Sequence, residues 1–285
     1  MKRFFLLIAG VALLATAVSC GSDDEPKPRN SVTSVNPLMI NHMVNTNNGQ
    51  VLGVTSVQNK LTMDTAKHTA SLELHYLDGT AEKTLTLENV TAKPKRMLFY
   101  ELEGTNDVNL SGYVDFNEGP SLRFVYRTPE GILVTSTMPE IFFSDTKSTI
   151  VYNDATPTSV SLTTYYQFTI NPATQTAIVQ VEDITHDKDL KRFINITAQT
   201  VPYTVTQDGF VIAGENLKTN ATYDSFDYNT GSNTTTTDKY PFKTFNATIT
   251  LNNNQLQDHL DATYMIGSNA TVTATGRTYP NYTSY

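Results

Sequence analysis

Leu61-Thr-Met-Asp-Thr-Ala-Lys-His-Thr-Ala-Ser-Leu-Glu-Leu74 returns 107 residues later as Phe168-Thr-Ile-Asn-Pro-Ala-Thr-Gln-Thr-Ala-Ile-Val-Gln-Val181, with identities at Thr62/Thr169, Ala66/Ala173, Thr69/Thr176 and Ala70/Ala177. A second pair of blocks keeps the same order at a spacing of 138. Phe124-Val-Tyr126 and Val134-Thr-Ser-Thr137 match Ala262-Thr-Tyr264 and Val272-Thr-Ala-Thr275. A fixed order of matched blocks is the mark of an internal repeat. The spacing grows because the second copy carries extra residues, chiefly over 215–243.

What repeats is β structure. Thr69–Leu77, Thr84–Val90 and Asn246–Leu251 largely alternate apolar and polar residues, as half-buried strands do. The abundant Thr, with Val, Ile, Tyr and Phe, suits a pleated surface. Polar turn clusters such as Asp64-Thr-Ala-Lys67, Asp78-Gly79, Lys93-Pro-Lys95 and Pro129-Glu-Gly131 cut the first half into strand-length pieces. They predict strands near 51–63, 68–77, 83–90, 96–103, 109–116, 121–127 and 131–137. Loops this short join antiparallel neighbours. The expected fold is all-β: two tandem antiparallel meander modules, small barrels or sandwiches, over 36–144 and 145–278, the second carrying the insertion 215–243, followed by a tail at 279–285.

The chain has 285 residues, 28 acidic against 20 basic, and one Cys. One Cys makes no internal disulfide and no thiolate metal cluster. A pI near 5.1 without a basic patch points away from nucleic acid, whose binding rests on phosphate neutralisation. Lys2 and Arg3 precede an apolar run, Phe4–Val18, too short to span a bilayer and read as a signal peptide over 1–19. Thr16-Ala-Val-Ser-Cys-Gly21 resembles a bacterial lipobox, which implies that Cys20 is lipidated and heads the mature protein. Residues 20–35 then form an acidic, Pro-containing tether, in which Ser22-Asp-Asp-Glu25 resembles the export signal of surface lipoproteins in Bacteroidetes-type bacteria. Acyl chains, at ~0.8 kcal/mol per buried methylene, can hold on a membrane an acidic protein that electrostatics would repel.

Together with Leu85-Thr-Leu-Glu-Asn-Val90, the turn at Pro94 and Glu103-Gly104, these features resemble the calycin-like and related uncharacterised β-barrel lipoproteins of Bacteroidetes. The resemblance implies lipocalin-like small barrels whose interior or rim takes a ligand, and it transfers no catalytic set.

Few residues carry chemistry of their own. His186 among Asp183, Asp187 and Asp189 has the makings of a cation site but reads better as a solvated loop, so no metal and no cofactor are expected. Glu101 and Glu103 share one face of a strand, as paired carboxylates of a hydrolase could, but such spacing usually marks the wet face. In the insertion, Tyr223, Phe226 and Tyr228 offer rings that could stack on a sugar or anchor a protein. Asp64-Thr65-Ala66 resembles the O-glycosylation acceptor motif of this bacterial group, with Thr65 as acceptor. The expected function is that of a surface-exposed outer-membrane lipoprotein, held by lipid on Cys20, that binds a glycan, a small apolar ligand or a surface protein without catalysis. A fimbrial or adhesin component, pairing through Thr278–Tyr285, and a hydrolase of glycans or lipids are the alternatives.

Overall fold

In a computed structural model, residues 31–278 are described except 97, 105–107, 118–119, 154–157, 187–190, 228, 255 and 268–269. The leader, Cys20, most of the tether and the tail therefore lie outside the described residues. Among the described residues every regular element is a strand, and the strands form two separate antiparallel sheets.

The first sheet holds β1 (Val32–Val35), β2 (Leu38–Asn45), β3 (Val51–Gln58), β4 (Lys60–Asp64), β5 (Thr69–Asp78), β6 (Ala81–Arg96), β7 (Phe99–Glu103), β8 (Ser111–Asp115), β9 (Ser121–Arg127) and β10 (Ile132–Thr137). From β4 to β10 it is the expected meander, curled into a half-barrel. β2 and β3 then add to the far side of β10. Only Asn59 separates β3 from β4, so one bent stretch of chain serves both ends of the sheet. The bend leaves β5 without a strand neighbour on its β4 side beyond Glu73. Side chains stand in for it: Asn59 Oδ1 accepts from His75 N at 2.8 Å, and Asn41 Nδ2 donates to His75 O at 2.7 Å.

The second sheet holds β11 (Glu140–Tyr152), β12 (Ser159–Ser161), β13 (Tyr165–Asn171), β14 (Thr176–His186), β15 (Lys191–Thr206), β16 (Gly209–Leu217), β17 (Thr219–Asp227), β18 (Ser232–Asp238), β19 (Phe242–Thr250), β20 (His259–Ile266) and β21 (Ala270–Thr278). Eight of them close a barrel in the order β14-β13-β11-β21-β20-β19-β16-β15, with β15 returning to β14. Its interior is packed with rings: Phe245 stacks on Tyr264 at 5.6 Å, and Phe143 meets Phe168 edge-on at 5.9 Å. Eight strands leave an interior that side chains can just fill.

The repeat is kept to the level of register. Leu61 pairs with Leu72 and Met63 with Ala70, as Phe168 pairs with Val179 and Ile170 with Ala177. Both turns are built alike. Asp64 Oδ1 accepts from the amides of Ala66 and Lys67, and Asn171 Oδ1 from those of Ala173 and Thr174. Each turn ends on a left-handed residue, His68 or Gln175.

Some expectations need correction. The sheets change between Thr137 and Glu140, so a boundary at 144/145 runs through β11. The last residues of the expected tether, Val32–Val35, pair with β4 as a strand. Lys93-Pro-Lys95 is no turn. It lies inside β6, where Pro94 opposes Tyr100 next to a register shift, a position at which a missing N–H is tolerated. Within 215–243 the chain forms not an open loop but the β17–β18 hairpin, laid along β15.

Candidate functional site

The two sheets meet where one wall of the first covers loops of the second. Ile40 and His42 of β2, Val54 of β3, Arg123 of β9 and Thr135 of β10 share that wall, since His42 pairs with both Val54 and Thr135. Arg123 makes a buried ion pair with Asp258, the two side chains 1% and 3% exposed. Thr135 Oγ1 donates to Asn253 Oδ1 at 2.8 Å, and Ile40 packs into the core of the second sheet. His42 Nε2 lies 2.7 Å from Thr206 O, so that nitrogen carries the hydrogen, and its ring meets Phe210 edge-on at 5.8 Å. Burial holds the His42 pKa below its ordinary value, opposed by the Thr206 carbonyl and the Asp208 charge. This seam is structural: its polar groups are spent on one another, except Arg123 Nε, which is buried without a partner.

The interiors are also occupied. In the barrel, Tyr166 Oη bridges Ser148 Oγ at 2.8 Å and Tyr264 Oη at 2.9 Å. Burial pushes the Tyr166 hydroxyl up to about 12, against the pull of those two hydrogen bonds. In the first sheet the equivalent layer holds Asn41, Asn59 and Tyr126. Asn41 Oδ1 and Tyr126 Oη are both buried without a hydrogen-bond partner, although the amide lies near enough to pull the phenol pKa slightly down against burial. At the rim, Tyr76 donates to Glu130 at 2.9 Å, and Glu130 is held below the usual carboxylate range by its own amide first, then by Thr128 and Tyr76.

The surface most available for recognition is the β17–β18 hairpin. Its inner face turns Ala221 and Tyr223 to the core, with the Tyr223 ring 5.4 Å from Phe193. Its outer face carries Thr222, Asp224 and Phe226 opposite Thr237, Thr235 and Asn233. Thr235 Oγ1 donates to Asp224 Oδ1 at 2.6 Å. Asp227 fastens the turn by accepting from Asn229 N at 2.8 Å and Thr230 Oγ1 at 3.0 Å, which draws its pKa down, the Asn229 amide acting most strongly. β18 pairs with β17 alone, so the backbone edge along Thr234–Thr237 is open among the described residues.

Of the three aromatic candidates, Tyr223 is therefore buried, Phe226 is exposed on the outer face, and Tyr228 lies outside the described residues. Thr65 sits in the β4–β5 turn, half-buried, its hydroxyl donating to Ser31 O at 3.0 Å. Glu101 and Glu103 each face a lysine of β6: Lys95 at 2.8 Å and Lys93 at 2.6 Å. Asp183 accepts from Arg192 at 2.6 Å, while Asp187, Asp189 and the His186 side chain lie outside the described residues. The reading from sequence missed Arg123 and Asp258. The one trace of that pair was a lone cation inside Leu122-Arg-Phe-Val-Tyr126, which a seam explains and a single barrel does not.

No protein-family model matches the chain, and no curated protein matches it. Among solved structures it is similar to a Bacteroides fragilis protein with a provisional outer-membrane assignment, at 14% identity and a TM-score of 0.32, covering 87% of this chain and 97% of that one.

Proposed function

We propose that the chain is a surface-anchored outer-membrane lipoprotein that works as a non-enzymatic interaction module, presenting the β17–β18 hairpin. The observation that carries this reading is the division of labour in the second sheet. The barrel interior is filled with aromatic side chains, and one hairpin projects a threonine-rich face and an open edge beyond the closed eight strands. A scaffold of that kind binds through its surface, because ligands reach a loop or hairpin without displacing a packed core. The partner class that fits is a glycan or a surface protein: Phe226 supplies a ring, and Thr222, Thr235 and Thr237 supply hydroxyls.

The lipid anchor rests on Cys20 and its flanking residues. Two experiments test the two halves of the reading. Cys20→Ser should yield a released or unprocessed chain, and recovery of processed variant in the outer membrane at wild-type level overturns the anchor. An array of glycans and surface proteins probed with the wild-type chain and with Phe226→Ala/Thr235→Asp should lose its strongest signal in the variant. An unchanged signal places recognition elsewhere. Open strand edges also favour a second reading, a fimbrial or adhesin component that grows by strand addition.

A further inference from the structure

The repeat equates β6 with β15 residue by residue. Val90 pairs with Ala70 as Val201 pairs with Ala177, Leu87 with Leu72 as Ala198 with Val179, and Leu85 with Leu74 as Ile196 with Val181. Asn89 and Thr200 hold the same left-handed bulge. What lies beside the two strands differs. In the second sheet β17 pairs with β15 from Lys191 to Ala198, and Ile196 and Ala198 are wholly buried. In the first sheet β7 pairs with β6 only over Thr91–Arg96. Along Ala81–Val90 the far edge of β6 has no strand partner among the described residues, leaving Leu85 and Leu87 half-buried and Thr84, Thr86 and Glu88 exposed.

We propose that this edge is an association surface and that a second copy of the chain occupies it, its own β6 laid antiparallel about a two-fold axis at Thr86. The residues select this occupant because the edge complements itself. With Thr86 opposite its symmetry mate, Leu85 faces the second copy's Leu87 and Leu87 faces the second copy's Leu85. The half-buried leucines then run as one apolar band across the join. Thr84 faces the second copy's Glu88, so no like charges oppose. Moving the axis to Leu85 sets Glu82 against Glu88 and Lys83 against Leu87, which the first register avoids. An isologous join uses up both edges and closes, whereas an open edge left free would template further pairing. The internal precedent is β17, which shows that a strand of this sequence satisfies the same edge geometry.

The test uses the full chain carrying Cys20→Ser, which also removes the only thiol. Sedimentation across the micromolar range should show a monomer–dimer equilibrium. Thr86→Asp should weaken association by about five-fold or more, because it sets two carboxylates opposite each other. Thr86→Ser should leave it unchanged, and circular dichroism should report all three folded, since Thr86 is exposed. Under mild oxidation Thr86→Cys should form a linked dimer faster than Thr235→Cys on the β18 edge. A monomer at all concentrations, a dimer indifferent to Thr86→Asp, or faster linkage through Thr235→Cys each overturns the proposal. Neither membrane nor ligand enters the measurement, so its failure leaves the reading of anchor and hairpin standing.

Discussion

The two sheets take one repeated hairpin to different ends. In the second sheet the repeat closes on itself as an aromatic barrel, and the edge left along β15 is covered by an extra hairpin. The first sheet builds its core largely from aliphatic and thioether side chains, curls without closing, and leaves the corresponding edge along β6 bare among the described residues. The buried polar layer diverges in step. Asn41, Asn59 and Tyr126 stand at the positions of Ser148, Tyr166 and Tyr264 in the repeat. Tyr166 is long enough to bridge its neighbours, whereas Asn59 is not and instead reaches Ser136 at 2.9 Å and the backbone of β5. Closure and polar satisfaction go together: the half-barrel spends its two amides replacing a missing strand and leaves a hydroxyl unpaired.

The largest expected effect lies where the sheets depend on each other. Arg123→Ala leaves Asp258 buried and uncompensated and should cost about 3–5 kcal/mol in denaturant unfolding. Arg123→Met/Asp258→Leu removes both charges and should recover most of that loss. If Arg123→Ala unfolds at the wild-type midpoint, the seam adds nothing and the sheets fold as independent halves. If the double variant is no better than the single, the pair itself is worth more than its desolvation cost.

The repeated strands were legible because alternation and turn chemistry are local. Leu61–Leu74 and its copy state their hairpins in fourteen residues, and the structure keeps them to the register. β2 was not legible, because Met39-Ile-Asn-His-Met-Val44 is buried on both faces and so does not alternate. The seam was hidden for a different reason: Arg123 and Asp258 lie 135 residues apart, and nothing near either names the other. Tyr223 looked like a displayed ring because its surroundings are polar. Period two resolves it, since in β17 Asn220, Thr222 and Asp224 take one face and Ala221 and Tyr223 the other.

A smaller effect separates the two polar layers. Tyr264→Phe removes a hydroxyl that Tyr166 shares, and should cost about 1 kcal/mol, the usual net worth of a buried hydrogen bond. Tyr126→Phe removes a hydroxyl at the equivalent position that has no partner, and should be neutral or stabilising. Equal losses in the two variants, read by thermal or denaturant unfolding, would erase the distinction drawn between the layers.

The smallest expected effect is a pH dependence carried by the seam. His42 is buried against Thr206, Phe210 and the β15–β16 turn, with Asp208 nearby and the Arg123–Asp258 pair on the same wall. Its folded pKa lies below the ordinary value of 6.5, so the unfolded chain takes a proton at a pH where the folded chain still refuses it. The contribution of His42 is therefore fully present above about 6.5 and is lost as pH falls from there toward the folded pKa. Carboxylates such as Asp227 add their own acid loss, but at lower pH, because Asp227 has a lowered folded pKa. The difference between wild type and His42→Gln isolates the imidazole, since Gln can still donate to the Thr206 carbonyl but does not titrate. Melting temperatures measured from neutral pH into mild acid should converge as the wild type gives up its advantage. Parallel curves would mean that His42 reaches solvent when protonated, and that the seam opens locally rather than with the fold.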